Sequence, residues 1–378
     1  MTRPLNRTLF EGHERGNRLG CPQSADTMLR ALSTCLSLTA VAIQLTDRAP
    51  TTDCELANLR SQPAIERTYD EGSFTMRFGF WPAASNPWAE VLTVARHAER
   101  TGWDRIWFAD HFMPNKPVGE DASDGMVHES WTTLAAFASR IPRVKLGHMV
   151  SGNTYRHPAV TAKMAAQIDI ISGGRFILGL GAAWQENEHH YYGIHFGTLK
   201  ERMDRFEEAC HAVTELFRYQ KTNFTGEHYQ FIDAPLEPKP IQTPLPLMIG
   251  GGGEKRTLRI TAQYANEWNV WGTPEVLVHK QSVLDAHCSD VHRDPAEIQR
   301  SACTLLMMTD NDDVLGPVRA SGRPVLGGSN DEIKQTVQAY IDAGVDEIII
   351  PDFTLGSNAF QRTEQMDRFI EEIVPEFR

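Results

Sequence analysis

The sequence predicts a (β/α)8 TIM barrel, on two observations and a matter of size. From Arg77 onward, short apolar runs alternate with helical periods, the pattern of βα units laid into a parallel sheet. Eight such runs can be counted before the chain ends at Arg378. A chain of 378 residues, 41% hydrophobic and 23% charged, has enough apolar side chain to fill a barrel core. Strand number alone leaves a doubly wound open sheet as the alternative.

In order, the expected strands are RFGFWPA (77–83), RIWFAD (105–110), VKLGHMVSG (144–152), RFILGLGAA (175–183), LPLMIGG (245–251), EWNVWG (267–272), ACTLLMM (302–308) and DEIIIPDF (346–353). Each is an apolar run of strand length bounded by turn residues or charge. Helical periods lie between them. LKERMDRFEEACHAVTELFR puts Leu199, Met203, Phe206, Cys210, Val213 and Phe217 at steps of three and four, so one apolar face can pack on a sheet. PWAEVLTVARHAERTG and DEIKQTVQAYIDAG close on glycine, where a left-handed cap is wanted. Two excursions interrupt the alternation: 113–130 delays the helix after the second strand, and 222–244 reads as a hairpin with a Pro-rich return. Residues 1–75 mix Arg, Thr, Pro and Ser without sustained periodicity. They are read as an N-terminal extension, either disordered or the product of a start assigned upstream of Met76, and the barrel domain as 76–378.

Composition narrows the function classes. A formal net charge of −12 argues against a nucleic-acid binder, whose surface needs excess Lys and Arg. Six cysteines form neither a CxxC nor a Cys/His cluster at zinc spacing, so no disulfide framework and no metal are expected. The apolar centre within residues 28–45 falls short of the roughly 20 residues a membrane helix needs and has no clear cleavage site, which leaves the cytoplasm as the expected setting.

In a parallel barrel the carboxyl ends of all strands converge on one rim, so reactive residues there carry the most weight. The second strand stops at Asp110-His111. A histidine at the rim, beside a carboxylate and framed by aromatics, suits a general acid or base near neutral pH. The alternative is that Asp110 caps the next turn and His111 fills a loop. The third strand ends in GHMVSGN and the fourth in GLGAAW, with small residues that admit either a flat ligand or tight packing. MIGGGGEKRT runs a strand through Gly250–Gly253 into a helix, which makes an anion site of phosphate type; no Walker order is present. ENEHHYYG lacks metal-ligand spacing, and no GxSxG elbow occurs.

The stretches YRHPAVTAKMAAQIDIISGGRFILGLGAAWQENEHHYYGI, ERMDRFEEA, GEHYQF, PKPIQTPLPLMIGGGGEKRTLRITAQYANEWN and YIDAGVDEIII, in that order, carry a resemblance. Together they resemble the luciferase-like monooxygenase superfamily of flavin-dependent oxidoreductases, and more narrowly its branch using the deazaflavin coenzyme F420. The resemblance implies a TIM barrel with the coenzyme ring at the rim, Asp110 and His111 beside it, and a non-prolyl cis peptide at Met149-Val150. The segment Met149, Val150, Ser151 and Gly152 would support the back of the ring. Ala182, Ala183 and Asn187 would meet it from the fourth strand, and Gly252 and Gly253 would hold the coenzyme phosphate. Where the sugar-phosphate dehydrogenase branch has a catalytic Glu, this chain has Trp184, better read as a wall of the substrate pocket. The usual Ala-Asp-Gly-Trp is Ala265-Asn266-Glu267-Trp268. The implied activity is hydride transfer between F420 and a small organic substrate, with His111 moving a proton, in a homodimer. Two alternatives stand beside it: a reduced-FMN monooxygenase of alkanesulfonate type served by a flavin reductase, and a non-catalytic flavin-binding barrel.

Overall fold

The computed structural model describes residues 75–378, so the expected extension lies, but for its last residue, outside the described residues. Eight parallel strands close into a ring: β1 (Arg77–Trp81), β2 (Arg105–Phe108), β3 (Lys145–His148), β4 (Phe176–Gly181), β5 (Leu247–Gly250), β6 (Glu267–Trp271), β7 (Gln299–Cys303) and β8 (Glu347–Pro351). Each pairs with the next, and β8 returns to β1, so the barrel has no free edge. In the ring β1 stands opposite β5, β2 opposite β6, β3 opposite β7 and β4 opposite β8.

Period-2 alternation sorts the side chains of each strand. In β2, Ile106 and Phe108 point outward into the main core beneath the helices, while Trp107 points into the barrel. There it meets Ile177, Met248, Cys303, Ile349 and Met149. Below this layer Arg105 is held by Glu267 at 2.5 Å and Glu347 at 3.0 Å, so the buried charge at the barrel base is paired.

The outer layer is α1 (Trp88–Thr101), α2 (Ser130–Arg140), α3 (Pro158–Ser172), α4 (Glu186–Tyr192), α5 (Leu199–Arg218), α6 (Thr257–Tyr264), α7 (Pro274–Asp290), α8 (Asp312–Ala320), α9 (Asn330–Asp342) and α10 (Ala359–Glu372). On α5 the predicted apolar face is buried at Met203, Phe206, Cys210 and Val213, whereas Phe217 is half-buried and Leu199 is exposed. Gly102 ends α1 at φ 94°, the left-handed cap expected there. No helix among the described residues is long and apolar enough to cross a membrane.

Three expectations need correction. The seventh strand starts at Gln299, ahead of the expected 302, because its first residues are polar: Arg300 is buried by pairing with Gln281 and Asp285 rather than by being apolar. Leu305–Met307 then leaves the barrel to pair with Val325–Gly327. The third strand is broken, resuming as Ser151–Gly152 beside β4. The glycine tract does not run straight into helix; a turn intervenes and α6 begins at Thr257. The excursion at 222–244 is a hairpin as expected (Thr222–Thr225 with Gln230–Ala234), but it follows a helix rather than a strand, and Glu208 of α5 anchors its tip.

Candidate active site

Asp110 follows β2 and is 1% exposed. Its carboxylate accepts from Ser130 Oγ (2.9 Å), Ser151 Oγ (2.8 Å) and the Gly152 N–H (3.3 Å), and from both Nη atoms of Arg156 (2.7 and 3.2 Å). Burial alone would raise its pKa; the Arg156 guanidinium and these donors outweigh it and hold the carboxyl below its ordinary range. Asp110 therefore knots β2 to the segment after β3 and has no oxygen left over for a ligand. Beneath the knot His148 is fully buried against Trp131, and neither ring nitrogen has a partner among the described residues. Burial pushes its pKa down to about 3, so the ring is neutral.

The bond Met149-Val150 is cis. Val150 packs on the layer inside the barrel and against the ends of β4 and β5: a Cβ on Gly181 would come within 2.7 Å of its Cγ2, and one on Gly250 within 2.8 Å of its Cγ1. A Cβ on Gly179 would lie 2.0 Å from the His148 carbonyl oxygen. The faces of Gly179 and Gly181 are thus filled by the chain's own bulge, which accounts for these two glycines by packing. Ser151 also accepts from Trp131 Nε1 at 3.2 Å, and Gly152 has no room for a side chain beside the Tyr155 ring.

His111 sits higher, with its side chain 26% exposed. Its Nδ1 is 2.8 Å from Glu188 Oε1. Glu188, on α4, has a side chain with no exposure and also accepts from the Phe112 N–H (2.7 Å) and the Tyr155 hydroxyl. Burial, and then the charge of Glu188, raise the Tyr155 pKa, so its hydroxyl stays a donor. An ionised carboxylate can only accept, so Nδ1 of His111 carries the hydrogen and Nε2 is the nitrogen available at the mouth. Trp184, 40% exposed, presents its ring edge-on to His111 at 5.4 Å between centroids.

Ala182 and Ala183 line the turn after β4, Ala183 in the left-handed region at φ 64°. Asn187 is buried, and its Nδ2 donates to the Pro114 carbonyl at 2.9 Å; Gln185 does the same to Met113 at 3.0 Å. Both clamp the loop after His111, and Asn187 Oδ1 is buried with no partner among the described residues. His189 is likewise engaged, by Thr154 and the Gln185 carbonyl.

Opposite β1, Gly251 is pinned by its N–H to Asn269 O (2.9 Å) and by Trp268 Nε1 to its own carbonyl (2.8 Å). The N–H groups of Gly252 and Gly253 have no acceptor among the described residues and precede the positive end of α6. The sequence reading missed the carboxylate and phenol that hold His111, the Arg156 that holds Asp110, and a group of rim aromatics. Trp81 stands at the end of β1, Trp271 at the end of β6 and Phe353 just past β8; Trp81 is 5.4 Å from Phe353 and 6.2 Å from Trp271. Position at strand ends is the one signal that could have flagged the last three.

The sequence model of luciferase-like monooxygenases matches residues 72–316, more than half of the chain. The chain belongs to the luciferase-like monooxygenase family. Among curated family members, it is 34% identical over 177 residues to the F420-dependent glucose-6-phosphate dehydrogenase of Amycolatopsis mediterranei, covering 47% of this chain and 50% of that protein. It is 29% identical over 179 residues to the F420-dependent hydroxymycolic acid dehydrogenase of Mycobacterium tuberculosis, covering 47% and 48%. The chain thus spans about half the length of the curated relatives it matches. An F420-dependent secondary alcohol dehydrogenase, solved with an F420-acetone adduct, superposes with a TM-score of 0.69 at 17% identity over 80% of this chain and 99% of that one. At that identity the likeness speaks for the fold alone.

Proposed function

We propose that this family member is an oxidoreductase that transfers a hydride between coenzyme F420 and a small organic substrate, with His111 as the proton donor or acceptor. One observation carries the reading: His111 stands at the mouth with Nδ1 fixed by a buried carboxylate and Nε2 free, in a ring of strand ends that also presents two unpaired backbone N–H groups. The names of the curated relatives support F420 over FMN.

The residues present fit such a coenzyme. The free N–H groups of Gly252 and Gly253 suit phosphate oxygens. Val150, with Ala182 and Ala183, offers an apolar seat for a flat ring at the top of the barrel. When bound, F420 supplies the two-electron hydride chemistry. The chain does the rest. Glu188 holds the His111 tautomer, so that Nε2 accepts a proton from a substrate hydroxyl or, once protonated, returns one to a carbonyl. Trp184 excludes water from the side of that nitrogen. Asp110 acts through backbone placement, keeping the bulge under the ring rather than touching the ring itself. A homodimer and a cytoplasmic setting belong to the proposal; the free, buried thiols of Cys210, Cys288 and Cys303 suit the latter.

The test is fluorescence titration of the purified protein with F420 and, separately, with FMN. Saturable F420 binding, weakened by Gly252→Val, is the expected result. Tight FMN binding with none to F420 would overturn the reading in favour of a reduced-FMN monooxygenase.

A further inference from the structure

We infer that the substrate is an uncharged alcohol or ketone with an aromatic or bulky apolar body, and not a phosphorylated sugar. The inference rests on the hydride-transfer reading above and concerns what fills the space over Val150.

The order of strands in the ring decides which side chains face one another. The turn after β4, with Trp184, stands opposite the end of β8, with Phe353. The segment after β2, with His111, stands opposite the end of β6, with Trp271. Trp81 joins Trp271 and Phe353 into one wall, and all three are partly exposed. Trp81, Trp271 and Val150 pack on the layer inside the barrel, so this wall continues the barrel interior upward instead of lying on the outer surface. The mouth therefore has an apolar floor and aromatic walls on two facing sides, with Nε2 of His111 as the imidazole nitrogen that faces a substrate there.

Charge is accounted for around it. Arg156 is held by Asp110 and Glu129, Lys116 by Asp124, Lys280 by Glu254, and Arg256 by Asp204 and Glu207. Lys255, exposed in the turn after the glycine tract, adjoins the N–H groups assigned to the coenzyme's own phosphate. A second phosphate, on a substrate, would have to compete with these carboxylates for Arg156, Lys116, Lys280 and Arg256 and would lose its hydration against tryptophan. A neutral ring or branched chain loses water at a gain there, stacking on the aromatic wall.

With an alcohol the step balances as follows. The carbinol C–H bond breaks, and hydrogen and electron pair pass together to oxidised F420, the oxidant. The hydroxyl proton passes to Nε2 of His111 and then to solvent. The products are the ketone, reduced coenzyme and one proton; the ketone is reduced by the same path in reverse.

The test uses the F420-loaded protein under anaerobic conditions, with loss of deazaflavin absorbance as readout and 1-phenylethanol, cyclohexanol and glucose 6-phosphate as probes. The expected kcat/KM for 1-phenylethanol exceeds that for glucose 6-phosphate by about 100-fold or more. Trp81→Ala and Phe353→Ala each raise KM for 1-phenylethanol about tenfold while the F420 Kd moves by less than about twofold. Preferred turnover of glucose 6-phosphate, no turnover of either alcohol by protein that binds F420, or an unchanged KM in both variants would each overturn the inference. Failure to bind F420 at all would instead overturn the coenzyme reading beneath it.

Discussion

Two carboxylates on the barrel rim, Asp110 after β2 and Asp352 after β8, are both buried and both face an arginine, yet their pKa values are shifted in opposite directions. Arg156 gives Asp110 a two-nitrogen fork at 2.7 and 3.2 Å, and two hydroxyls complete the shell. Arg362 spends its Nη atoms on Glu90 (2.6 Å) and Asn86 (3.0 Å), leaving only Nε at 3.6 Å from Asp352. Burial then dominates at Asp352 and raises its pKa to about 6, despite Arg362 and hydrogen bonds from Ala83 N and Asn86 Nδ2. The difference teaches that a nearby guanidinium fixes a buried charge only when its hydrogens are aimed at it. Asp110, its pKa lowered, is an anion at neutral pH and ties the bulge after β3 to β2. Asp352, next to Phe353 of the aromatic wall, titrates within reach of neutral pH.

The comparison breaks most visibly at Asp110→Ala. That change strands Arg156 and frees Ser130, Ser151 and the Gly152 N–H together, and the expected loss in chemical denaturation is about 3–5 kcal/mol. A loss under about 1 kcal/mol would mean that the knot is not what holds the bulge.

At Asp352 the effect is a matter of pH. Its folded pKa, about 6, lies above the ordinary 3.8, so the native state holds the proton more tightly than the unfolded chain. The stabilisation is complete below the lower value and is lost as pH rises through the upper one. Asp352→Asn therefore gains on the wild type between pH 4 and pH 7, by up to about 3 kcal/mol, read from denaturation midpoints across that range. Asp110, with its pKa lowered, contributes in the opposite sense: its stabilisation is present at neutral pH and lost in acid as the carboxyl is protonated. A pH-independent difference between wild type and Asp352→Asn would remove the contrast.

Ser151→Ala sharpens the same point at smaller scale. It removes one hydroxyl donor from Asp110 and the acceptor of Trp131 Nε1 but leaves the arginine fork, so the expected cost is about 2 kcal/mol. A cost equal to that of Asp110→Ala would show the hydroxyl, not the guanidinium, to be the main support.

What was legible in the sequence follows from what is local. Seven strands announced themselves as apolar runs; β7 was misplaced because Gln299, Arg300 and Ser301 are polar and Arg300 is buried by pairing. The glycine tract and the rim position of Asp110-His111 were readable because motif and strand end coincide, whereas the cis bond at Met149-Val150 was expected only from the family resemblance. The partner of His111 was not: Glu188 lies 77 positions further on and is brought to the imidazole by the pairing of β2, β3 and β4 side by side. Within ENEHHYYG the histidines drew attention, whereas the glutamate two places after Glu186 is the one that points inward. Trp81 lies 190 positions from Trp271 and 272 from Phe353 along the chain, and the three meet only because their strand ends share one rim, so no window of sequence could group them.

The most direct test of the central claim is single-turnover oxidation of 1-phenylethanol by F420-loaded wild type and His111→Ala, with F420 affinity measured on both. The account predicts unchanged F420 affinity and a rate lower by about 100-fold or more in the variant. An equal rate in the two proteins would contradict it.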